Sequence, residues 1–141
     1  MENIHRFKVF GASILTELYK NFPIPVSITP RVAGLTEIEY GEYDPISESS
    51  PTSGARDPET DLFEAVLGWL SRSGVIELVR SPVGTPQYTL GAPGYFAMLE
   101  RSNYNSRIQH LGDILLSADS AQSEDALVSA FSKVLELTLR K

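Results

Sequence analysis

The chain has no cysteine among its 141 residues, so it can form neither a disulfide bond nor a thiolate metal site. It also lacks an apolar run of the roughly 18 residues that a membrane-spanning helix needs. The first six residues, Met1 to Arg6, are too polar for a secretory signal. These absences predict a soluble protein without a membrane partner, and we expect it in the cytoplasm.

Basic residues are scarce, since 12 lysines and arginines stand against 18 acids and leave a net charge of −6. Proteins that grip a nucleic-acid backbone are usually basic, because neutralising phosphates supplies much of their affinity. Most of the acidity is local: the stretch from Gly34 to Glu64 contains nine acidic residues and a single basic residue, Arg56. These acids are Glu37, Glu39, Glu42, Asp44, Glu48, Asp57, Glu59, Asp61 and Glu64.

The N-terminal part predicts a long amphipathic helix followed by short elements. Apolar residues recur every three or four positions from Ile4 to Phe22, and Pro23 ends the pattern. Residues 26–28 fit a short strand, and residues 30–38 a short helix that Thr29 caps. Residues 40–57 are rich in Ser, Pro, Gly and acids and predict a mobile acidic insertion.

The middle of the chain predicts a helix, a hairpin and another helix. Asp57 and Pro58 begin a helical pattern that ends at Gly74, a residue suited to a left-handed helix end. Residues 75–80 and 87–90 alternate like strands around a turn rich in Pro and Gly. The helix that follows carries Tyr95, Phe96, Met98 and Leu99.

Two further helical patterns occupy the C-terminal part. The first has Ile108, Leu111 and Leu115 at helical spacing, and the second starts near Ser123. The fold class predicted is α+β and mainly helical, in two parts: a domain over residues 1–102 and a helical extension over residues 103–141.

Two stretches carry a resemblance to a known family. Residues 62–76 (LFEAVLGWLSRSGVI) resemble the step from helix to strand in winged-helix domains, and residues 88–99 (YTLGAPGYFAML) look like their second wing strand and the helix after it. The resemblance implies a winged-helix core with a wing hairpin, closest to small uncharacterised bacterial winged-helix proteins with a helical C-terminal extension. Members of this superfamily include transcription regulators that bind DNA and modules that bind proteins, so the fold alone does not choose between them.

Charge argues against the DNA-binding alternative. The helix that would enter a DNA groove begins with Asp57, Glu59 and Asp61, and carboxylates facing phosphates are repelled. A dimeric DNA-binding regulator would therefore need its arginines collected on one face. The candidates for nucleic-acid contact are Arg72, Arg80, Arg101 and Arg107.

Catalytic and cofactor motifs are missing from the sequence. His5 and His110 lie far apart without a metal-binding spacing, and no nucleophile-elbow or phosphate-binding motif occurs. We therefore expect no enzyme activity, no metal, no cofactor and no small-molecule ligand. The aromatic residues Trp69, Tyr88, Tyr95 and Phe96 suit a hydrophobic core better than a ligand-stacking platform.

Self-association or a protein partner is the remaining expectation. The C-terminal helix has an apolar stripe that either folds back on the domain or pairs with a second copy. The candidate dimer contacts are Leu127, Phe131, Val134 and Leu135. The preferred hypothesis is a non-catalytic protein-interaction module on a winged-helix scaffold, with the acidic insertion and the C-terminal helices as contact surfaces.

Overall fold

The computed structural model describes residues 2–33, 58–80, 86–104 and 106–139, and the predicted acidic insertion lies outside them. The fold is α+β and mainly helical, as predicted, with two small antiparallel hairpins. No helix in these ranges is both long enough and apolar enough to cross a membrane. In chain order the elements are α1 (Glu2–Asn21), a 3₁₀ turn (Pro30–Ala33), α2 (Pro58–Arg72), β1 (Ile76–Arg80), β2 (Pro86–Leu90), α3 (Ala92–Met98), β3 (Arg101–Tyr104), β4 (Arg107–His110), α4 (Leu111–Ser120) and α5 (Glu124–Leu139).

Helix α1 is the central element of the fold. It packs against α2, α4 and α5, and its apolar stripe is buried from Phe10 to Leu18. Gly11 allows α1 and α5 to pack closely, because a side chain at this position would overlap the ring of Phe131 on α5. A glycine that weakens an isolated helix thus lets two helices pack closely.

The turn between α2 and β1 has the form that its glycine predicts. Gly74 has a φ of 86°, in the left-handed region that glycine adopts without a steric penalty. The chain then continues into β1, which pairs with β2 from Ile76 opposite Leu90 to Arg80 opposite Pro86. Val26 adds a single bridge to Tyr88 on the other edge of β2, so the predicted strand at residues 26–28 is reduced to one paired residue.

A second hairpin replaces part of a predicted helix. The prediction that Ile108 lies on the same helix as Leu111 is wrong, because Ile108 is in β4 and pairs with Asn103 on β3. The turn includes Ser106 with a φ of 63°, a conformation that ends strands in tight hairpins. The helical spacing from Ile108 to Leu111 and Leu115 is misleading, because it groups Ile108 with buried residues. The side chain of Ile108 faces solvent and is 73% exposed.

The two C-terminal helices pack against the N-terminal helix and contribute to the same core. Ala118 on α4 and Phe131 on α5 are fully buried together with Leu15 of α1. The predicted boundary between residues 102 and 103 falls inside β3. The predicted start of the last helix near Ser123 is confirmed, and the predicted second helix begins at Pro30 as a 3₁₀ turn whose continuation past Ala33 lies outside the described residues.

Candidate protein-binding groove

The four arginines proposed for nucleic-acid contact lie on four different elements. Arg72 ends α2 and Arg80 ends β1, whereas Arg101 and Arg107 begin β3 and β4. Arg101 pairs with His110 and Arg107 pairs with Tyr104, so the two arginines stand at opposite ends of the hairpin. Because side chains alternate along a strand, they also point to opposite faces of this small sheet. The structure therefore does not bring these two arginines together.

The outward face of α2 carries mixed charge. Asp61, Glu64 and Ala65 are exposed, and Arg72 is exposed at the other end of the helix. A helix that reads DNA bases needs positive charge near the phosphates, and carboxylates along its exposed side oppose this. The outward face of α2 is therefore poorly suited to DNA.

The predicted dimer stripe on α5 lies inside the chain itself. Leu127, Phe131 and Val134 are at most 6% exposed, and Leu135 is partly buried against the same core. Of the two arrangements expected for α5, the structure has the one in which the helix folds back on the domain. Leu127, Phe131 and Val134 therefore offer almost no surface to a second copy, whereas Leu135 remains partly exposed.

An apolar groove lies between the N-terminal half of α1 and the middle of α2. Its volume is about 500 Å³. Ile4 in its α1 wall is 49% exposed, although it belongs to the stripe predicted as buried. The residues that line the groove are Asn3, Ile4, Phe7 and Lys8 from α1 and Leu62, Ala65, Val66 and Trp69 from α2.

Aromatic rings pack against one another at the floor of the groove. The ring of Phe7 meets Trp69 edge to face, with ring centroids 5.2 Å apart, and meets the buried Phe131 at 5.7 Å. Edge-to-face pairs of this kind stabilise packing beyond the area they bury. Arg6 also forms an ion pair with Glu59, which ties α1 to α2, and lies 5.1 Å from the ring centroid of Phe10. The groove is therefore a preformed apolar surface.

The groove was not predictable from the apolar periodicity of either helix, although the sequence contains one signal for it. Trp69 precedes Leu70, and neighbouring residues on a helix point about 100° apart. Because Leu70 is fully buried, Trp69 has to face the margin of the core. The apolar surface of α2 is thus wider than the stripe that packs inside, and the excess forms one wall of the groove.

A second apolar surface surrounds the end of α1. Phe22 stacks on Tyr95 of α3, with ring centroids 4.1 Å apart and planes 11° from parallel. Ile24 is 68% exposed and Phe96 is 66% exposed. The expectation that Phe96 is a core residue is therefore wrong, because the short α3 turns this side chain to solvent. Trp69, Tyr88 and Tyr95 are partly buried against the core.

A second cavity, of about 520 Å³, is lined by charged residues of both signs. Arg6 and Arg31 line it together with Asp119 and Glu124. Most of these groups are engaged within the chain: Arg6 pairs with Glu59, Glu124 pairs with His5, and Arg31 has a contact of its own. A ligand would have to compete with these contacts, so the cavity is a weaker candidate than the apolar groove.

The histidines serve structural contacts at separate places. His5 Nε2 donates a hydrogen bond to Glu124 Oε1 at 2.7 Å, which links α1 to α5. His110 Nδ1 donates to the backbone carbonyl of Leu99 at 2.5 Å, just before α4 begins. Within the described ranges, no group of three or more histidine or carboxylate side chains is placed to hold a metal ion.

One tyrosine has a perturbed pKa at the contact between α1 and α4. Burial raises the pKa of Tyr19 above 10.0, and the nearby carboxylate of Asp113 raises it further. The Tyr19 hydroxyl donates a hydrogen bond to Asp113 Oδ1 at 3.2 Å. Both effects favour the neutral phenol, so the pair fastens α4 to α1 through a protonated tyrosine.

No protein-family model, curated protein or solved structure matches this chain.

Proposed function

We propose that this chain is a non-catalytic protein-interaction module on a scaffold that resembles winged-helix domains. Its ligand is an amphipathic α-helix of a protein, which lies in the groove between α1 and α2. A cytoplasmic location belongs to the same proposal. The observation that carries it is the groove itself, where Ile4, Ala65 and Trp69 expose apolar surface beside the packed rings of its floor.

The shape of the groove favours a helix as its occupant. Two helices form its walls, and the apolar positions in α2 recur from Leu62 through Ala65 to Trp69. A partner helix with apolar residues every three or four positions meets such a surface along its whole length. Burying that face removes apolar area from water, which stabilises the complex by about 25 cal/mol for each Å² buried. The free-energy costs of association are subtracted from this gain.

DNA binding is the weaker alternative. It draws support from the resemblance of residues 62–76 and 88–99, since some winged-helix domains bind DNA. The outward carboxylates of Asp61 and Glu64 and the opposite orientations of Arg101 and Arg107 weigh against it.

Fluorescence of the single tryptophan tests the proposal, because Trp69 lines the groove. The probes are two tryptophan-free amphipathic peptides of about four helical turns, with leucine on one face and either lysine or glutamate along the edges. We expect a saturable blue shift of the Trp69 emission with either peptide, because leucine packing into the apolar groove provides the contact. Ala65→Arg should abolish this shift, and Ser117→Arg, at an exposed position of α4, should leave it unchanged.

A parallel titration uses a fluorescein-labelled DNA duplex at low and moderate salt. We expect no salt-sensitive binding of the duplex, that is, no affinity that falls steeply as the salt concentration rises. Nanomolar, salt-sensitive DNA binding would overturn the proposal in favour of a regulator. Peptide binding that persists in Ala65→Arg would overturn the assignment of the groove.

A further inference from the structure

Among the described residues, a single charged side chain lines the apolar groove between α1 and α2. It belongs to Lys8, which stands one turn of α1 beyond Ile4. The other residues of the lining are apolar, except for Asn3. Lys8 is partly buried, and lysines in such positions cover apolar surface with the aliphatic stem while the ammonium group stays in water. The edge of the groove that α1 forms is therefore positively charged.

The ammonium group of Lys8 is available to a ligand. No ion pair or hydrogen bond joins it to another residue in the described ranges, unlike Arg6, which is held by an ion pair to α2. Asp61 and Glu64 on α2 are exposed, but they do not line the groove, and each already has a contact within the chain. The charge that a bound helix meets inside the groove is therefore the charge of Lys8.

We propose that the partner helix has an acidic edge, whose glutamate or aspartate carboxylate meets the ammonium group of Lys8 when the apolar face fills the groove. This inference rests on the proposed function, since it requires the groove to bind a helix. A charge pair at the edge of an apolar contact contributes more to the choice of partner than to affinity. The apolar face admits any amphipathic helix of suitable shape, and Lys8 selects the acidic ones among them.

The local charge of Lys8 and the net charge of the chain predict opposite preferences. A chain with a net charge of −6 attracts basic peptides at long range. A contact with Lys8 favours acidic peptides at short range. At about 0.1 M salt, interactions between exposed charges more than about 10 Å apart are largely screened, whereas a close contact at the edge of the groove is screened less. The preference between an acidic and a basic peptide therefore distinguishes the groove from the overall field.

The test titrates the full chain with the glutamate-edged and the lysine-edged peptide at about 0.1 M salt and follows the emission of Trp69. We expect the glutamate-edged peptide to bind about threefold to tenfold more tightly, because it gains an ion pair where the other peptide meets a like charge. Lys8→Met keeps an aliphatic stem and removes the charge, so the two affinities should become similar. Lys8→Glu should make the lysine-edged peptide the tighter ligand.

Lys20→Met is the matched control for Lys8→Met. It changes the net charge by the same amount at the other end of α1, where the Lys20 side chain is 59% exposed and does not line the groove. This variant should keep the native preference for the glutamate-edged peptide. Circular dichroism confirms that each variant remains helical. A preference that survives unchanged in Lys8→Met would contradict the assignment to Lys8.

The outcomes separate this inference from the proposed function. Equal binding of the two peptides to the native chain, or tighter binding of the lysine-edged one, overturns the acidic edge and leaves the groove as a helix-binding site. Binding of neither peptide overturns both proposals. A Trp69 emission that shifts to the blue as the concentration of the free chain rises, and does not shift in Ala65→Arg, would show that a second copy fills the groove, which also overturns the inference.

Discussion

The ring of Phe131 on α5 occupies the space beside Gly11 on α1 in which a side chain at that position would have to lie. The two helices can approach this closely only because position 11 has no Cβ. Phe131 is fully buried, and Phe7 meets the same ring from the groove side. The contact thus joins the core to the candidate binding surface.

Replacing this glycine tests the close approach. Gly11→Ala should lower the free energy of unfolding by about 1–3 kcal/mol, because the added methyl group overpacks the core against the Phe131 ring. Gly68→Ala is the matched control in α2, where the nearest group among the described residues is the flexible end of Arg72. There the better helix propensity should raise stability by up to about 1 kcal/mol. Urea unfolding measures both; a stabilised Gly11→Ala would contradict the close packing.

The buried position of Phe131 makes a second prediction. Phe131→Ala should cost about 3–5 kcal/mol, since it removes a large buried side chain and leaves a cavity. Leu139→Ala near the end of α5, where the side chain is 44% exposed, should cost less than about 1 kcal/mol. The loss at Phe131 should be the same at low and high protein concentration. A loss of stability that depends on protein concentration would indicate that Phe131 lies in a dimer interface.

The turn between α4 and α5 contains a residue in the left-handed region. Gln122 has a φ of 53°, and the backbone N–H groups of Gln122 and Ser123 donate to the carbonyls of Asp119 and Ala118. This is the hydrogen-bond pattern of a helix end that favours glycine. Gln122→Gly should raise stability by about 0.5–1 kcal/mol, because the gain from relieving left-handed strain exceeds the extra freedom of the unfolded chain.

The control for this turn is Ser120→Gly, in the last turn of α4, which should lower stability by up to about 1 kcal/mol. Thermal unfolding of the two variants side by side provides the measurement. Equal destabilisation by both would argue against the conformation of Gln122.

The raised pKa of Tyr19 predicts a dependence on alkaline pH. The folded state holds the proton more tightly than the unfolded state, so the stabilising contribution is fully present below pH 10.0 and is lost as the pH rises through the folded-state pKa. Ultraviolet titration near 295 nm, compared between the native chain and Tyr19→Phe, isolates this group. In Asp113→Asn the pKa should fall but remain above 10.0, because burial is the larger cause. A pKa that Asp113→Asn leaves unchanged would show that the carboxylate has no part in it.

Much of the fold could be predicted from local patterns in the sequence. Three of these patterns involve only residues that are close in the chain. They are the periodic apolar residues of α1, the cap and proline predicted to begin α2, and Gly74 at the end of α2. The structure confirms α1, the start of α2 at Pro58 and the left-handed Gly74 after it, whereas the predicted cap at Asp57 lies outside the described residues. Local patterns failed at Ile108, because a helical spacing to Leu111 and Leu115 arose by coincidence across a hairpin and a helix start. The turn between β3 and β4 depends on the positive φ of Ser106. A serine does not by its type require this conformation, so the turn could not be predicted from the residue.

The candidate site was much less predictable. Periodicity shows that α5 has an apolar stripe and that Trp69 lies beside one, but it does not say what covers either. Packing decided that α5 folds against α1 and buries Phe131, while Ile4 stays about half exposed. Three of the dimer contacts expected on α5 are therefore buried inside the chain, and the groove lies between α1 and α2.

The amino-acid order alone determined α1, α2, the first hairpin and α5, and it determined the uneven distribution of charge. Backbone conformation, capping and periodicity are set by residues a few positions apart, so they can be read from the chain itself. Tertiary structure decided which apolar stripes are covered and which remain exposed. The apolar surface of α1 and α2 exceeds what the neighbouring helices cover, and the uncovered part between Ile4 and Trp69 exists only once those helices are in place.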